Sequence, residues 1–417
     1  MANAARRHPA GWPEPADFAP PPDTGMRRRW AEADRAARSV RLHRLRERLA
    51  GAGLDAYFGA RREHMRWICG FALAEGEEKV AGHSGQFLVT TGGVTVFADS
   101  RYTIQARREA PEATTADVGY DLPGRWRQLL AECGVRRVGL EAAAIPHALW
   151  TRLEAAAPEV EHVPVEGWLE GERATKTPEE VERIAAACAV ADRALAALLP
   201  EVSTERTEAE LALRLEWLMR TGGAEALAFD VACLSGPEAA LPHGAPGDRP
   251  VQAGAVLLFD FGAQVDGYRS DMTRTLFVGE PTVRDLEVYR LVRAAQAAAI
   301  EAVTSSVRAA SADGTPLLSG PAADAAARDA IVAAGHGEHF GHGTGHGIGL
   351  ATHEDPRLSR AAPDVPLPSP TVFSVEPGVY LEGETGVRIE DLVALDASAG
   401  RVERLTHFPS DVLVVGG

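Results

Sequence analysis

The stretch F-G-H-G-T-G-H-G-I-G-L-A-T-H-E-D-P, residues Phe340–Pro356, sets three histidines among five glycines. A glycine inside a helix costs about 0.8–1.0 kcal/mol relative to alanine, so this density predicts an extended strand that another group approaches closely. Residues four apart in a strand share a face, so His342 and His346 should point to one side. His353 has the wrong parity for that face, which predicts a turn between Gly349 and His353. The three histidines could form a metal site, an oxyanion site or a polar patch.

Two aspartates lie on a predicted hairpin before that stretch, in F-D-F-G-A-Q-V-D-G-Y-R-S-D-M-T-R-T, residues 259–275. The dipeptide D-G at residues 266–267 is a signal for a two-residue turn. That turn places Asp260 opposite Thr273 and makes Asp271 the diagonal neighbour of Asp260 on one face, about 7–8 Å away. Two such carboxylates repel each other unless a positive group lies between them. The alternative is that one faces solvent or pairs with a nearby arginine.

A second predicted hairpin, over Val372–Leu381 and Gly386–Leu395, repeats the pattern with Glu376 and Glu390. Both glutamates lie among β-branched residues, which predicts that they are buried. Arg388 shares a face with Glu390 and could neutralise one acid, but not four. Four carboxylates with one histidine favour manganese, magnesium or cobalt over a thiolate zinc cage. They exceed what one divalent ion needs and so predict two ions about 3.5–4 Å apart, an arrangement suited to hydrolysis.

Composition excludes several classes of partner. The chain has 417 residues and a formal net charge of -16, so nucleic acid and anionic membranes are not expected to bind it. It contains no apolar run of about 18 residues that would span a membrane. The four cysteines form no C-x-x-C pair, which predicts buried free thiols in a reducing compartment. Without the apolar core of a signal peptide at its N-terminus, the chain is expected in the cytoplasm.

The length predicts two domains after an N-terminal tail. Residues 1–36 are rich in proline and arginine and predict a flexible tail or an arm onto a partner, although a helix is expected across Trp30–Leu49. Residues 37–170 alternate short strands and helices, with a hairpin of Gly85–Thr91 and Val94–Ala98. The polar cluster of Asp99, Arg101 and Tyr102 after that hairpin favours structural pairing rather than catalysis.

Residues 171–417 form the second predicted domain. Thr177 is the expected N-cap of a helix that runs to about Leu199, and a capping box at Thr207–Glu210 opens the next helix. A further helix is expected to end near Ala302, and Val303–Pro321 predicts a loose surface loop. Mixed helices and antiparallel hairpins indicate an α+β fold.

The motifs together resemble the pita-bread metallopeptidases. Within that family they resemble the Xaa-Pro branch, which includes aminopeptidase P and prolidase. The resemblance covers about residues 40–412 and implies a pita-bread catalytic domain, a curved antiparallel sheet covered by helices. It also implies a smaller α/β creatinase-like N-terminal domain before it. The motifs that carry it are F-A-D-S-R-Y-T-I-Q-A, A-L-P-H-G-A-P, F-D-F-G-x(4)-G-Y-x-S-D-x-T-R-T, H-G-T-G-H-G-I-G-L-x-x-H-E-D-P, S-V-E-P-G-V-Y and G-V-R-I-E-D.

Site residues are implied by this resemblance position by position. The ligands of two divalent metal ions, usually manganese or cobalt and alternatively zinc, would be Asp260, Asp271, His346, Glu376 and Glu390. The substrate-binding histidines would be His243, His342 and His353. His342 would line the proline side, and Arg388 would orient the acids around the metals.

The implied reaction is hydrolysis of the bond before proline by a hydroxide that bridges the two metals. His353 and a metal would stabilise the oxyanion, and Glu376 would pass the proton to the leaving nitrogen. Peptides with proline at the second position are the expected substrates, so an Xaa-Pro aminopeptidase is preferred. The alternative is an Xaa-Pro dipeptidase, for which Arg357 could bind the substrate carboxylate or, instead, form a surface salt bridge.

Remoter alternatives are a metal-free relative that cleaves creatine, another small-molecule hydrolase or lyase on this fold, and a non-catalytic binding protein. All five ligand positions hold residues able to bind metal, which argues against the metal-free and non-catalytic alternatives. The resemblance further implies a homodimer.

Overall fold

The computed structural model describes residues 11–73 and 83–416 and divides the chain into two compact units. The N-terminal unit is Gly25–Glu172. The C-terminal unit combines Arg173–Gly416 with the described residues up to Thr24. The division between Glu172 and Arg173 lies close to the boundary expected at 170/171.

A six-stranded sheet with the order β4-β3-β2-β1-β5-β6 organises the N-terminal unit. The first three strands in the chain form antiparallel pairs, and the outer strands pair in parallel. Buried aromatic rings pack on the sheet, with the ring centres of Phe58 and Trp126 5.0 Å apart. The elements are α1 (Thr24–Ala52), β1 (Ala56–Gly59), α2 (Arg62–Cys69), β2 (Phe87–Thr90), β3 (Val94–Ala98), α3 (Thr103–Glu109), β4 (Thr114–Asp117), α4 (Leu122–Glu132), β5 (Arg137–Glu141), α5 (His147–Ala156), β6 (Glu161–Val165) and α6 (Trp168–Ala174).

The predicted flexible tail is wrong from residue 24 onwards, because α1 begins at Thr24 and buries Trp30 completely. The apolar spacing that predicted a helix from Trp30 therefore reaches further back than the arginine-rich composition suggested. Before α1, the ring of Phe18 stacks on Phe408 at 6.3 Å between ring centres. Residues 1–10 of the predicted tail lie outside the described residues.

Two N-terminal predictions are confirmed. β2 and β3 form the expected antiparallel hairpin. Arg101 Nε and Nη2 donate to the two carboxylate oxygens of Asp99 at 2.9 and 2.8 Å, so this cluster is a structural pair.

The C-terminal unit builds small sheets against long helices. Its sheets have the strand orders β11-β10-β7, β20-β12-β9-β8, β14-β13-β15-β18-β19 and β16-β17. Its elements are α7 (Pro178–Leu198), α8 (Glu208–Thr221), β7 (Ala226–Leu227), β8 (Ala232–Ser235), β9 (Val256–Phe261), β10 (Ala263–Val265), β11 (Tyr268–Arg269), β12 (Met272–Val278), α9 (Val283–Asp313), α10 (Gly320–Ala333), β13 (Gly345–Gly347), β14 (Glu354–Leu358), β15 (Thr371–Val375), β16 (Gly378–Leu381), β17 (Thr385–Arg388), β18 (Asp391–Asp396), β19 (Arg401–Arg404) and β20 (Val414–Val415).

The helix starts of this unit confirm the capping predictions. Thr177 and Thr207 each accept a hydrogen bond from the backbone three residues on and complete capping boxes. The predicted loose loop Val303–Pro321 is wrong for residues 303–313, because α9 continues to Asp313, and only residues 314–319 connect α9 to α10. Val303 and Val307 are fully buried and extend the helix's apolar stripe onto the core shared with β15. The burial of these two side chains, which lie one helical turn apart, stabilises the helix in spite of the polar residues around them.

Three of the four cysteines are buried, and burial raises the pKa of the Cys69 thiol to about 11. The prediction of four buried thiols is wrong for Cys133, which is exposed after α4. Across the described residues, no helix combines the length and apolar character needed to cross a bilayer.

Candidate metal centre

Asp260 and Asp271 are brought together by a tight hairpin. Asp266 and Gly267 have φ angles of 47° and 79°, the left-handed pair that a two-residue turn between twisted strands requires. The register confirms the predicted pairing of Asp260 with Thr273. Asp271 lies just before β12, next to this pair, and both aspartates line one cavity.

Glycines in β13 allow His346 to lie deep between neighbouring strands. A Cβ atom on Gly345 would lie 1.9 Å from the carbonyl oxygen of Ser374, and one on Gly347 would lie 2.1 Å from that of Asp355. Ser374 Oγ accepts the backbone N–H of His346 at 3.0 Å. The close approach expected of this glycine strand is thus made by protein backbone, although only three residues of the stretch form a regular strand.

The predicted turn before His353 is confirmed. The chain bends at residues 349–353 and returns as β14, which pairs with β13 in the antiparallel sense. As a result the ring of His353 lies over that of His346, with 4.3 Å between ring centres.

Glu376 and Glu390 lie at breaks in the last hairpin. β15 pairs with β18, and β16 pairs with β17 as a separate two-stranded sheet. Glu376 directly follows β15, where the chain leaves the larger sheet for the β16-β17 sheet, and Glu390 directly precedes β18, where the chain returns to it. Backbone bonds hold both, since Glu376 N–H donates to Thr344 O at 2.7 Å and Glu390 N–H to Thr273 O at 3.1 Å.

The carboxylates converge on one imidazole. His346 Nε2 lies 3.2 Å from Glu376 Oε1 and 3.7 Å from Asp271 Oδ2. One ligand atom each from Asp271, His346 and Glu390 lies within 4.8 Å of the others, and all three side chains are buried. This spacing is suitable for a shared cation.

Burial makes these acids difficult to ionise. It raises the pKa of Asp271 and Glu390 well above the usual range, and neighbouring carboxylates raise both further. Burial also raises the pKa of Asp260, against the opposing effect of a guanidinium. For Glu376, burial acts in the same direction, but the hydrogen bond and charge of His346 lower its pKa to about 2. A buried set of this kind needs positive charge between its members.

The residues fit the divalent metals that the resemblance implies. Asp260 Oδ1 and Glu390 Oε1 are buried and have no hydrogen-bond partner among the described residues. A buried carboxylate oxygen without a partner is costly, and a metal ion would satisfy it. The donor set of carboxylates and one imidazole suits manganese, cobalt or zinc.

Arg388 and Thr273 join the acids into a network. Arg388 Nη2 donates to Asp260 Oδ2 at 2.7 Å, and its Nε donates to Thr273 Oγ1 at 2.9 Å. Thr273 Oγ1 donates in turn to Glu390 Oε2 at 2.8 Å. Arg388 Nη1 also reaches the hydroxyl of Tyr380 at 2.8 Å, and that hydroxyl lies 2.8 Å from His342 Nε2.

Sequence reasoning missed Thr273 and Tyr380 as site residues, although hairpin register held a signal for both. Thr273 is the direct cross-strand partner of Asp260, and Tyr380 is the diagonal neighbour of Arg388, which pairs with Gly378. Phe229, which also lines the cavity, was missed because no nearby motif marks it.

One cavity of about 400 Å³ is lined by all ten residues that the sequence proposed for the site. They are His243, Asp260, Asp271, His342, His346, His353, Arg357, Glu376, Arg388 and Glu390.

Arg357 faces this cavity from β14, directly across from His346 in the ladder. The alternative of a surface salt bridge does not hold among the described residues, where no carboxylate oxygen lies within 4.0 Å of its guanidinium. Burial lowers the pKa of the neighbouring His353 to about 4, with further lowering by His346 and Arg357, so its imidazole is neutral at pH 7.

Buried ion pairs outside the cavity fix the segments that carry the histidines. Glu354 pairs with Arg173 and Lys176 and accepts Ala351 N–H at 2.7 Å, which fixes the bend before His353. Such pairs specify geometry because their members are costly to leave unpaired.

Asp324 on α10 fixes the other end of the glycine stretch. It pairs with Arg328 at 2.7 Å and accepts Thr344 N–H at 2.9 Å. Arg328 Nη2 donates to His342 O at 2.6 Å. The positions of His342 and His346 therefore depend on a helix that precedes them in the chain.

Comparisons with known proteins cover most of the chain. Residues 182–397 match Metallopeptidase family M24, and residues 41–175 match the Creatinase/Prolidase N-terminal domain. The chain is 31% identical over 376 residues to the uncharacterized peptidase YqhT of Bacillus subtilis, covering 90% of this chain and 100% of that protein.

Two solved structures are similar in both units. The Xaa-Pro dipeptidase from Bacillus anthracis has a TM-score of 0.80 at 30% identity and covers 91% of this chain and 100% of its own. The X-Pro aminopeptidase from Thermotoga maritima has a TM-score of 0.76 at 32% identity and covers 90% of this chain and 100% of its own.

Proposed function

Because the chain belongs to metallopeptidase family M24, we propose that it hydrolyses the bond before proline in Xaa-Pro dipeptides. Membership of the family confirms the predicted α+β fold, with a creatinase-like domain before a pita-bread domain. Both a dipeptidase and an aminopeptidase are among the similar structures, so similarity alone does not choose between them. The choice reverses the order preferred from the sequence, which placed the aminopeptidase first.

The observation that carries the dipeptidase proposal is Arg357. Its guanidinium lines the cavity, and no carboxylate of the described residues pairs with it. A planar guanidinium binds a carboxylate through two parallel hydrogen bonds. The carboxylate that a dipeptide places next to its scissile bond is the partner this arrangement fits. A longer peptide would present an amide there instead.

Five side chains would hold the metal ions: Asp260, Asp271, His346, Glu376 and Glu390. When bound, two divalent ions would supply a water of lowered pKa and an electrophile for the carbonyl oxygen. Arg388 supports this set by holding Asp260 and, through Thr273, the carboxylate of Glu390. Fixing a ligand's orientation in this way raises metal affinity.

The remaining groups handle the substrate and its protons. Glu376 would accept a proton from the attacking water and pass it to the leaving proline nitrogen. His353 is neutral at pH 7 and would donate a hydrogen bond to the developing oxyanion. His243 and His342 line the same cavity and would bind the peptide on either side of the scissile bond.

The test compares hydrolysis of Ala-Pro with that of Ala-Pro-Ala by the manganese-loaded protein. We expect Ala-Pro to be the better substrate and Arg357→Gln to raise its KM at least tenfold, because the carboxylate loses a charged partner. Arg360→Gln, an exposed arginine three residues away, is the matched control and should leave KM unchanged.

Two results would contradict this proposal. Cleavage of Ala-Pro-Ala without cleavage of Ala-Pro would favour the aminopeptidase. Cleavage of neither substrate by metal-loaded, folded protein would exclude an Xaa-Pro peptidase and leave another hydrolase, a lyase or a binding protein. Three properties stay predictions: that the metal is manganese, that the protein is a homodimer and that it is located in the cytoplasm.

A further inference from the structure

A second group of metal-ligand side chains lies inside the N-terminal unit. It comprises His64 on α2, Glu141 at the end of β5 and Glu170 on α6. One ligand atom from each lies within 4.8 Å of the others. The side chains of His64 and Glu141 are 0% and 3% exposed, and that of Glu170 is 26% exposed. The peptidase site uses none of these residues.

The imidazole of His64 is fully buried between two carboxylates. Its Nδ1 lies 2.5 Å from Glu141 Oε1 and pairs with it, whereas its Nε2 lies 3.9 Å from Glu170 Oε2. This Nε2 has no hydrogen-bond partner among the described residues. A buried polar atom without a partner is costly, so the cluster favours an additional ligand.

Glu141 is already oriented for such a ligand. Its Oε2 accepts the backbone N–H groups of Ala60 and Arg61 at 2.7 and 3.0 Å. These bonds fix the carboxylate and leave Oε1 directed at the imidazole. Hydrogen bonds of this kind, from outside a metal's own ligands, strengthen metal sites.

Arg61 supplies the positive charge beside this cluster. Its Nε lies 3.3 Å from Glu141 Oε1 and 3.4 Å from Glu170 Oε1, yet it is aligned with neither. The side chain is 38% exposed, so it can turn towards solvent. A divalent ion can therefore replace the guanidinium as the counter-charge to both carboxylates.

We propose that His64, Glu141 and Glu170 bind one zinc ion. One imidazole nitrogen and two carboxylate oxygens are typical zinc ligands, and a water would complete four-coordination. An imidazole in the set disfavours magnesium and calcium, which prefer oxygen ligands alone. The ion would fasten α2, β5 and α6, three elements distant in sequence, and so stabilise the folded unit.

The experiment isolates this site by disabling the peptidase centre. The full-length double variant Asp271→Asn/Glu390→Gln is stripped with chelator, titrated with zinc and analysed for metal content. We expect about one bound zinc per chain and a rise in Tm on adding zinc. Adding His64→Asn or Glu170→Gln should remove both effects. His43→Asn, which changes an exposed histidine 3.3 Å from Glu47 with no third metal-ligand side chain nearby in the described part of the chain, should remove neither.

Several outcomes would overturn the proposal. The folded double variant could bind no zinc, or it could retain its zinc after His64→Asn. Glu170 is partly exposed, so Glu170→Gln should fold even if the His64 variant does not, and retention of zinc by it would count equally against the site. Because the readout is metal content and Tm, this result does not depend on whether the protein cleaves Xaa-Pro peptides.

Discussion

Thr273 shows how much of the candidate metal centre depends on a single hydroxyl. It lies between a cation and an acid, accepting from Arg388 Nε and donating to Glu390 Oε2. The hydroxyl is fully buried, so no water can take over either bond. Its role follows from its place opposite Asp260 in the hairpin.

Thr273→Val should weaken metal binding. The valine keeps the shape of threonine but cannot orient Glu390, and loss of such an orienting bond lowers metal affinity about 10–100-fold. Manganese titration of the variant and the wild type measures the change. Thr371→Val is the control, because Thr371 is equally buried but donates only to Ala174 O. An equal loss of affinity in both variants would show general destabilisation instead.

At the scale of elements, β13 and its bend present the histidines to the cavity. β13 can lie against its neighbouring strands only because Gly345 and Gly347, on either side of His346, have no side chains. The glycines of this stretch are not equivalent, however. A Cβ on Gly345 would overlap backbone, whereas one on Gly341 would meet nothing within 4 Å.

Gly345→Ala should therefore destabilise the fold by more than about 3 kcal/mol, because backbone atoms cannot move aside as a flexible side chain can. Gly341→Ala should change the free energy of unfolding by less than about 0.5 kcal/mol. Urea unfolding of both variants gives the comparison. Equal stability of the two would mean that β13 does not pack as described.

The bend before His353 depends on Glu354. Glu354→Gln would remove the carboxylate that pairs with the buried Lys176, a change that costs about 3–5 kcal/mol in stability. We also expect kcat for Ala-Pro to fall at least tenfold, since the bend positions His353 over His346. Steady-state kinetics on the folded protein measures this, with the exposed Glu382→Gln as control. Unchanged kcat in a destabilised Glu354→Gln variant would limit Glu354 to a structural role.

At the scale of the whole molecule, Asp192 ties the C-terminal segment to α7. It accepts the backbone N–H groups of His407 and Phe408 at 2.9 and 3.0 Å. Burial raises its pKa to about 6. The folded state therefore holds its proton more tightly than the unfolded chain, so its stabilising contribution is complete below about pH 4 and is lost as pH rises through 6.

Relative to Asp192→Asn, the wild type should lose about 2 kcal/mol of stability between pH 4 and pH 7, most of the effect of the whole shift at about 1.36 kcal/mol per pKa unit. Urea unfolding of both proteins at four pH values tests this. The exposed Asp364→Asn should follow the wild type at every pH. A constant difference between Asp192→Asn and the wild type would contradict the raised pKa.

Local pattern was enough for much of the site. The D-G turn set the register that puts Asp260 opposite Thr273, and strand parity required the bend before His353. These predictions succeeded because turn geometry and side-chain alternation are properties of neighbouring residues. The capping threonines of α7 and α8 succeeded for the same reason.

Contacts between segments distant in the chain could not be predicted from the sequence. The length of α9 depends on the burial of Val303 and Val307 in a core shared with β15. That strand begins roughly 60 residues later in the chain, too far for local sequence to indicate the contact. The division of the last hairpin into two sheets at Glu376 and Glu390 also depends on neighbouring strands. Composition alone could not predict either.

The amino-acid sequence by itself determined the hairpin register of Asp260 and the α+β class, because each rests on spacing along one segment. Only the tertiary structure decided that Arg357 faces the cavity with no carboxylate partner among the described residues, and that His64 lies between two glutamates from other elements. Both depend on which charges lie within a few ångströms in space. Electrostatic and desolvation energies are set by that distance and by burial, and neither can be obtained from separation along the chain.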